Sequence, residues 1–342
     1  MKEFPDITIE PNQLFDWQYG IVKGQILMTA VKLNVFCYTI EPTTSGDVAR
    51  AIGTHLQNTE LFLNALTAIG LLVKQDGAFH NTELADTFLV EGRETYLGGF
   101  LTFNEMFLFK NVEDMKTAVV NGPAVHEVGE IDEAQYHTTM LMRNFARSGP
   151  SQAVAKALAE LPEFNSFAKM LDLGGGHGLD AIATVKRHPS MEGIVFDKAA
   201  IVKAAQDNIR EYGLEDRIRV QSGDYLIDSL GSGYDLILAK GTLNFAGPHL
   251  EKVVRKIYDA LNEGGVFVSI HDGLTAERTN PEAMVLSWLP FALSAIDVTL
   301  AREQIPDAMT AAGFSGLETR PHLFPLGGKL DMVVGRKAQV KN

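Results

Sequence analysis

The chain has 342 residues, 46% of them hydrophobic and 21% charged, with 30 basic against 43 acidic side chains and a formal net charge of −13. That length suggests two domains, and the apolar share is ample for buried cores, which excludes wholesale disorder. No uncharged apolar run reaches the ~18 residues of a membrane span, residues 1–6 lack a secretory pattern, and the single cysteine, Cys37, excludes a disulfide framework and a Cys-built zinc site. A reducing cytoplasm is therefore the expected compartment, and the acidic balance argues against duplex DNA, whose affinity rests on Lys and Arg.

Up to about residue 160 the pattern reads as helices, first over residues 15–35 and then over 44–52 and 58–69. Thr43-Thr44-Ser45 and Asn58-Thr59-Glu60 supply helix-start signals for the latter two. Residues 71–73 and 77–80 follow as two short strands around a Gln75-Asp76-Gly77 turn. Helix, helix and hairpin is the order of a winged helix, which raises a DNA-binding regulator as an alternative. The second helix, over residues 58–69, contains no Lys or Arg, and a recognition helix without them is a poor DNA reader.

From about residue 168 strand and helix alternate, the pattern of a parallel sheet covered on both faces. The expected strands are 170–173, 193–196, 218–220, 235–239 and 265–270, with helices over 178–188, 199–212 and 250–261 between them. Residues 316–319 and 331–334 read as a closing strand pair. The expected division is a winged-helix-like domain over residues 1–105 and an α/β Rossmann-like domain over 106–342, its sheet core spanning about 168–336.

Asp172-Leu173-Gly174-Gly175-Gly176-His177-Gly178 sits at the turn from the first of these strands to the helix after it. A dinucleotide fingerprint needs G-x-G-x-x-G, but its third glycine would fall on Leu179. The sequence offers G-x-G-x-G with an acidic residue two positions ahead, the spacing used for S-adenosylmethionine. Asp197 ends the second strand, where a carboxylate can accept from both ribose hydroxyls. Gly223-Asp224-Tyr225 follows the third, where a carboxylate can meet the adenine amino group and a ring can cover the purine. Elements at the carboxyl ends of three successive strands converge on one crevice. Each also has a plainer reading, as structural glycine turn, strand-end cap or surface turn.

At these residues the chain resembles the S-adenosylmethionine-dependent small-molecule O-methyltransferases that carry an N-terminal winged-helix dimerisation domain. The resemblance covers nearly the whole chain, including residues 30–36 and 66–72, the glycine motif, Phe196-Asp197, Gly223-Asp224, Lys240 and residues 260–265. It implies a homodimer, a small-molecule methyl acceptor, and Lys240 beside the cofactor. It also implies substrate-wall positions at Asn104, Phe107, Tyr136, Met140 and Trp288, in Met- and aromatic-rich stretches that suit a flat or aromatic acceptor.

One departure stands out. The family places a histidine base after the fourth strand, and the matching stretch here, Lys240-Gly241-Thr242-Leu243-Asn244-Phe245-Ala246, carries Asn244 instead. An amide is no base at neutral pH. Three readings follow: an acceptor atom (carbon, nitrogen or sulfur) that dispenses with that base; another base, with His271 after the fifth strand and Asp272 beside it as candidates; or a member redirected to a reaction other than methylation. His249, His271 and Asp272 show no metal-ligand spacing, so no metal is expected.

Overall fold

The computed structural model describes residues 6, 8–113, 115–123, 132–293, 297–324 and 328–339, with backbone alone for 106–113, 132–135, 321–324 and 328–329. The chain divides into two compact units, Met1–Glu105 and Met106–Asn342.

The first unit opens with a long helix, α1 (Asn12–Lys32), and a 3-10 turn at Val35–Cys37. A short strand β1 (Thr43–Thr44) leads into α2 (Ser45–Ile52) and α3 (Leu56–Ala68), and then into the hairpin β2 (Leu72–Gln75) and β3 (Ala78–Asn81). The helix starts follow from side-chain caps. The Thr44 hydroxyl accepts from the Asp47 backbone N–H at 3.2 Å, and α3 begins two residues before Asn58 because the His55 ring accepts from the Asn58 N–H. The strand order β1-β3-β2 makes a three-stranded antiparallel sheet where the sequence suggested two strands. Phe36, Val48, Leu63, Leu66, Leu72 and Phe79 form the core beneath it. Asn81 ties this core together, accepting from the Thr39 hydroxyl at 2.7 Å and donating to the Phe36 carbonyl at 2.9 Å. The helices α4 (Glu83–Phe88) and α5 (Gly98–Glu113) follow, α5 crossing the boundary between the units.

The second unit continues with α6 (Met115–Asn121), α7 (Asp132–Arg147) and α8 (Pro150–Ala159) before the alternating region begins. In chain order the elements are β4 (Lys169–Leu173), α9 (Leu179–Arg187), β5 (Glu192–Asp197), α10 (Ala199–Glu211), β6 (Ile218–Ser222) and β7 (Tyr234–Lys240). There follow α11 (Leu250–Ala260), β8 (Leu261–His271), the short pair β9 (Gly273–Leu274) and β10 (Leu300–Ala301), α12 (Glu282–Ala292), α13 (Gln304–Ala312), β11 (Ser315–Phe324) and β12 (Gly328–Arg336). Seven strands form one sheet in the order β11-β12-β8-β7-β4-β5-β6. β4 to β8 run parallel, while β12 joins β8, and β11 joins β12, antiparallel.

Alternation of side chains explains why these strands read as unbroken apolar runs. Leu236, Leu238, Val266, Val268 and Ile270 pack on one face of the sheet. Ile237, Ala239 and Phe267 pack on the other. From β4 the chain steps outward to β5 and β6, then returns to lay β7 on β4's opposite side. That reversal opens a crevice beyond the carboxyl ends of β4 and β7.

Leu238 is fully buried in a strand paired on both sides. Leu238→Ala is expected to lower the unfolding free energy by about 2–5 kcal/mol, read as a reduced urea midpoint at unchanged slope.

Candidate active site

The turn between β4 and α9 is shaped by what lies beneath it. Gly174 has φ +64°, and a Cβ there would collide with the Thr242 side chain. A Cβ at Gly175 would lie 2.7 Å from the Asp172 carboxyl. At Gly176, with φ +54°, a Cβ would meet nothing, so the backbone there borders open space. The Gly174 N–H reaches the Phe196 carbonyl at 2.8 Å, and the Gly176 N–H donates to Asp197 Oδ2 at 2.9 Å. The loop is thereby pinned to the end of β5.

Beneath and beside this loop lies a buried charge cluster. Lys240 Nζ, at the end of β7, stands 2.6 Å from Asp180 Oδ2 in the first turn of α9, with both side chains largely buried. Asp180 also accepts from the Ser151 hydroxyl at 2.8 Å. Burial opposes its ionisation, but Lys240, His177 and these hydrogen bonds outweigh that and hold its carboxyl below the usual value. Asp172, 1% exposed, accepts a long 3.2 Å bond from the Ala181 N–H. Burial, and then the charge of Asp180, push it up to about 8. Burial likewise lowers His177 to about 4.

A cavity of about 380 Å³ opens beside this cluster, wholly within the second unit. Gly174 to His177, Asp180, Lys240 and Gly241 form one side of it. The opposite wall comes from two helices. On α12 the spacing of Met284, Ser287 and Trp288 puts all three on one face. On α7, Thr138, Thr139, Met142, Phe145 and Ala146 border the cavity. The other side of α7 is fastened to α10, with Tyr136 donating to Asp207 at 3.0 Å and Arg143 and Arg147 reaching Glu211 at 3.0 and 2.6 Å.

His271 and Asp272, at the end of β8, and Leu330 on β12 complete the lining. His271 is 1% exposed, with Nδ1 3.4 Å from the Ser269 hydroxyl and Nε2 without a hydrogen-bond partner among the described residues. Burial pushes it down to about 4, against the opposing influence of Asp331, so the ring is neutral at pH 7. Asp272 is 6% exposed, and burial raises its carboxyl above the ordinary range. Its Oδ1 accepts from Asn244 Nδ2 at 2.7 Å, while its Oδ2 has no hydrogen-bond partner among the described residues. Asn244 is itself buried, in the 3-10 stretch Leu243–His249 that follows β7.

Of the residues singled out from sequence, the cavity brings together Gly174, Gly176, Lys240, His271 and Trp288, with Asn244 one bond behind through Asp272. Gly178 caps α9 behind the loop, and Asp172 lies beneath it. Asp197 stands at the loop's far side. It is raised by burial, each of its oxygens accepting one backbone N–H, from Lys198 and Gly176. Gly223, Asp224 and Tyr225 follow β6, where Gly223 N–H bonds the Asp197 carbonyl at 3.0 Å and the Tyr225 hydroxyl donates to the Thr242 carbonyl at 2.9 Å. Two expected wall residues differ. Tyr136 is turned to Asp207, and neither it nor Met140 borders the cavity. Asn104 is half-buried on α5 in the first unit, and the Phe107 side chain lies outside the described residues.

Sequence reasoning missed Asp180 and the threonines Thr138 and Thr139. Asp180 had a usable signal, a carboxylate in the first turn of the helix after the glycine loop. The threonines had none, because nothing local marks which face of α7 turns inward. His249 is exposed, and among the described residues no group of three His, Cys, Asp or Glu stands close enough to hold a metal ion. Among them, too, no helix is long and apolar enough to cross a membrane.

A glycine turn at the switch point of a parallel sheet, with the antiparallel strand β12 laid beside β8, matches the class I methyltransferase architecture. The O-methyltransferase domain model matches residues 116–315, and the O-methyltransferase dimerisation domain model matches residues 15–91. The chain belongs to the S-adenosylmethionine-dependent O-methyltransferase family and is a methyltransferase that uses this methyl donor. It is 26% identical to 3-hydroxy-5-methyl-1-naphthoate 3-O-methyltransferase of Streptomyces sahachiroi, over 98% of this chain and 97% of that one. It is 28% identical to the N,N-dimethyltransferase OxyT of Streptomyces rimosus, over 79% and 80% of the two chains. Among solved structures, human N-acetylserotonin methyltransferase in complex with SAM shares the fold with a TM-score of 0.76, at 22% identity over 98% of this chain and all of that one.

The depressed His271 value gives a pH dependence with a definite sign. In the unfolded chain the ring takes a proton near pH 6.5, whereas in the folded chain it does so only near 4. Stability from this group is intact above pH 6.5 and is lost as pH falls from 6.5 to 4, by roughly 3 kcal/mol at most. Urea midpoints of wild type and His271→Asn across this window should therefore converge, the variant losing less stability on acidification.

Proposed function

We propose that this enzyme methylates a small, flat or aromatic molecule held in the cavity between the glycine loop and the α7–α12 wall. The observation that carries the reading is the cavity itself. Its polar side is the loop, Lys240 and Asp180, and its opposite side is Met142, Phe145, Met284 and Trp288.

The residues present fit the cofactor. The open space at Gly176 lets the backbone approach a ligand without a side chain between them. Asp197 retains a free lone pair on each oxygen after its two backbone bonds, which suits a ribose diol. Asp224 and Tyr225, next to Gly223, are the candidates for the adenine edge and face. Gly174 and Gly178 shape the loop, Asp172 braces it from beneath, and Lys240 is held beside it by Asp180. When bound, S-adenosylmethionine supplies an electrophilic methyl group on a positively charged sulfur.

The chain's own residues would contribute three things. The Met, Phe and Trp wall excludes water and aligns a planar acceptor, so that reaction becomes effectively intramolecular. His271, held neutral, can accept a hydrogen bond from the acceptor. Asn244 cannot remove a proton, so its part is to position Asp272. Both O-methyl and N-methyl transfer occur among the relatives, and an oxygen or nitrogen acceptor is the reading adopted here. Titration calorimetry should detect S-adenosylmethionine binding to wild type and a loss of at least tenfold in affinity for Asp197→Ala. Absence of binding to the folded wild type would sink the reading.

The first unit is proposed to form a homodimer. Leu14, Phe15, Trp17, Ile21 and Val22 on α1 are exposed within the single chain, a larger apolar run than a solvated helix carries. Sedimentation should find a dimer, and the double variant Trp17→Glu, Ile21→Glu should sediment as a monomer. A monomeric wild type would refute the assignment.

A further inference from the structure

We propose that Asp272 is the proton acceptor of the reaction and that Asn244 is the positioning residue that aims it, which restricts the acceptor to an O–H or N–H group. The proposal rests on the methyltransferase reading and adds the identity of the base.

The geometry is specific. Both acceptors facing the Asn244 amide, Asp272 Oδ1 at 2.7 Å and the Val298 carbonyl at 3.1 Å, require its NH₂ end. The amide can therefore sit only one way round, and it fixes one carboxylate oxygen. The other oxygen, Oδ2, is buried, has no hydrogen-bond partner among the described residues, and belongs to a residue that lines the cavity. A buried carboxylate oxygen left unpaired is costly, and an acceptor's O–H or N–H entering the cavity would satisfy it.

Charge favours Asp272 over its neighbour His271. The acceptor's lone pair forms the new bond to the methyl carbon as the carbon–sulfur bond releases its electron pair to sulfur. The acceptor's proton goes to Asp272 Oδ2. One positive and one negative charge become a neutral thioether and a neutral carboxylic acid, so the buried site ends with two fewer charges. Transfer to His271 would instead leave an imidazolium in a site that already contains Lys240. Burial also moves the two in opposite directions, raising the Asp272 carboxyl while lowering the imidazole. The other ionisable groups around it are compensated. Lys240 is paired with Asp180, and Arg302 reaches Asp331, whose backbone lies opposite His271 in the sheet, at 2.6 Å. The Trp288 N–H, also in the lining, favours the anion without making a hydrogen bond to Oδ2.

The test uses the full chain with labelled S-adenosylmethionine and three probes of one shape: 2-naphthol, 2-naphthylamine and 2-naphthalenethiol, the last already ionised at pH 9. Asp272→Asn should lose at least 100-fold in turnover on naphthol, lose much less on naphthylamine, whose neutral nitrogen already carries the attacking lone pair, keep transfer to the thiolate, and bind S-adenosylhomocysteine as wild type does. Asn244→Ala should lose less and move the acidic limb of the kcat/KM profile upward, because the amide that favours the anion is gone. Equal turnover of naphthol by Asp272→Asn and wild type, or its loss in His271→Asn alone, overturns the proposal while leaving the methyltransferase reading intact. A wild type that fails to bind the cofactor ends both. Infrared difference spectra of the S-adenosylhomocysteine complex make the decision independent of any acceptor and of turnover. The carboxyl band absent from Asp272→Asn should titrate above the ordinary aspartate range in wild type and higher still in Asn244→Ala. A band within the ordinary range overturns the proposal.

Discussion

The ion pair between Lys240 and Asp180 sits where the two halves of the sheet diverge, and the rest of the site is arranged around it. Lys240 ends β7, and Asp180 opens the helix that follows β4. Their contact therefore spans the switch point itself. Two charges this deeply buried persist only because each is paired, and removing either would strand the other at a cost of about 3–5 kcal/mol. The pair also fixes the entry of α9, and with it the direction of the glycine loop that the cofactor reading requires. Asp172, beneath the same loop, answers to this charge pattern. It is pushed toward its neutral form by burial and then by the charge of Asp180, against the weaker pull of Lys240.

A second layer of polar organisation lies at the end of β8. His271 and Asp272 are neighbours in sequence and share the cavity, yet their surroundings push their proton affinities in opposite directions. Burial disfavours the charged form of each, which weakens a base that becomes a cation and strengthens one that is already an anion. Asn244, where the resemblance expects a histidine, has a partner in this second layer. Its amide reaches the one carboxylate in the lining that remains incompletely bonded.

Much of this was legible in the sequence. The central strands, the glycine turn and its convergence with the ends of β5 and β6 are local patterns, set by unbroken apolar runs and by glycine at a strand-to-helix turn. The absence of basic residues in α3 and the Asn244 substitution were equally visible. The third strand of the first unit was not, because β1 has only two residues and exists solely through pairing with β3. Nor was the inward face of α7. Tyr136 lies two residues from Thr138, but the polar ladder to α10 turns it away from the cavity.

The sequence by itself determined the class of fold, the place of the glycine turn and the presence of Asn244 where the resemblance expects a histidine. Each is encoded within a few consecutive residues or in a period that repeats along the chain. Only the tertiary structure decided which charges pair and which side chains meet in the cavity. Asp180 with Lys240, and Asn244 with Asp272, are separated by 60 and 28 residues. Their energies depend on a burial and a proximity that no local pattern carries.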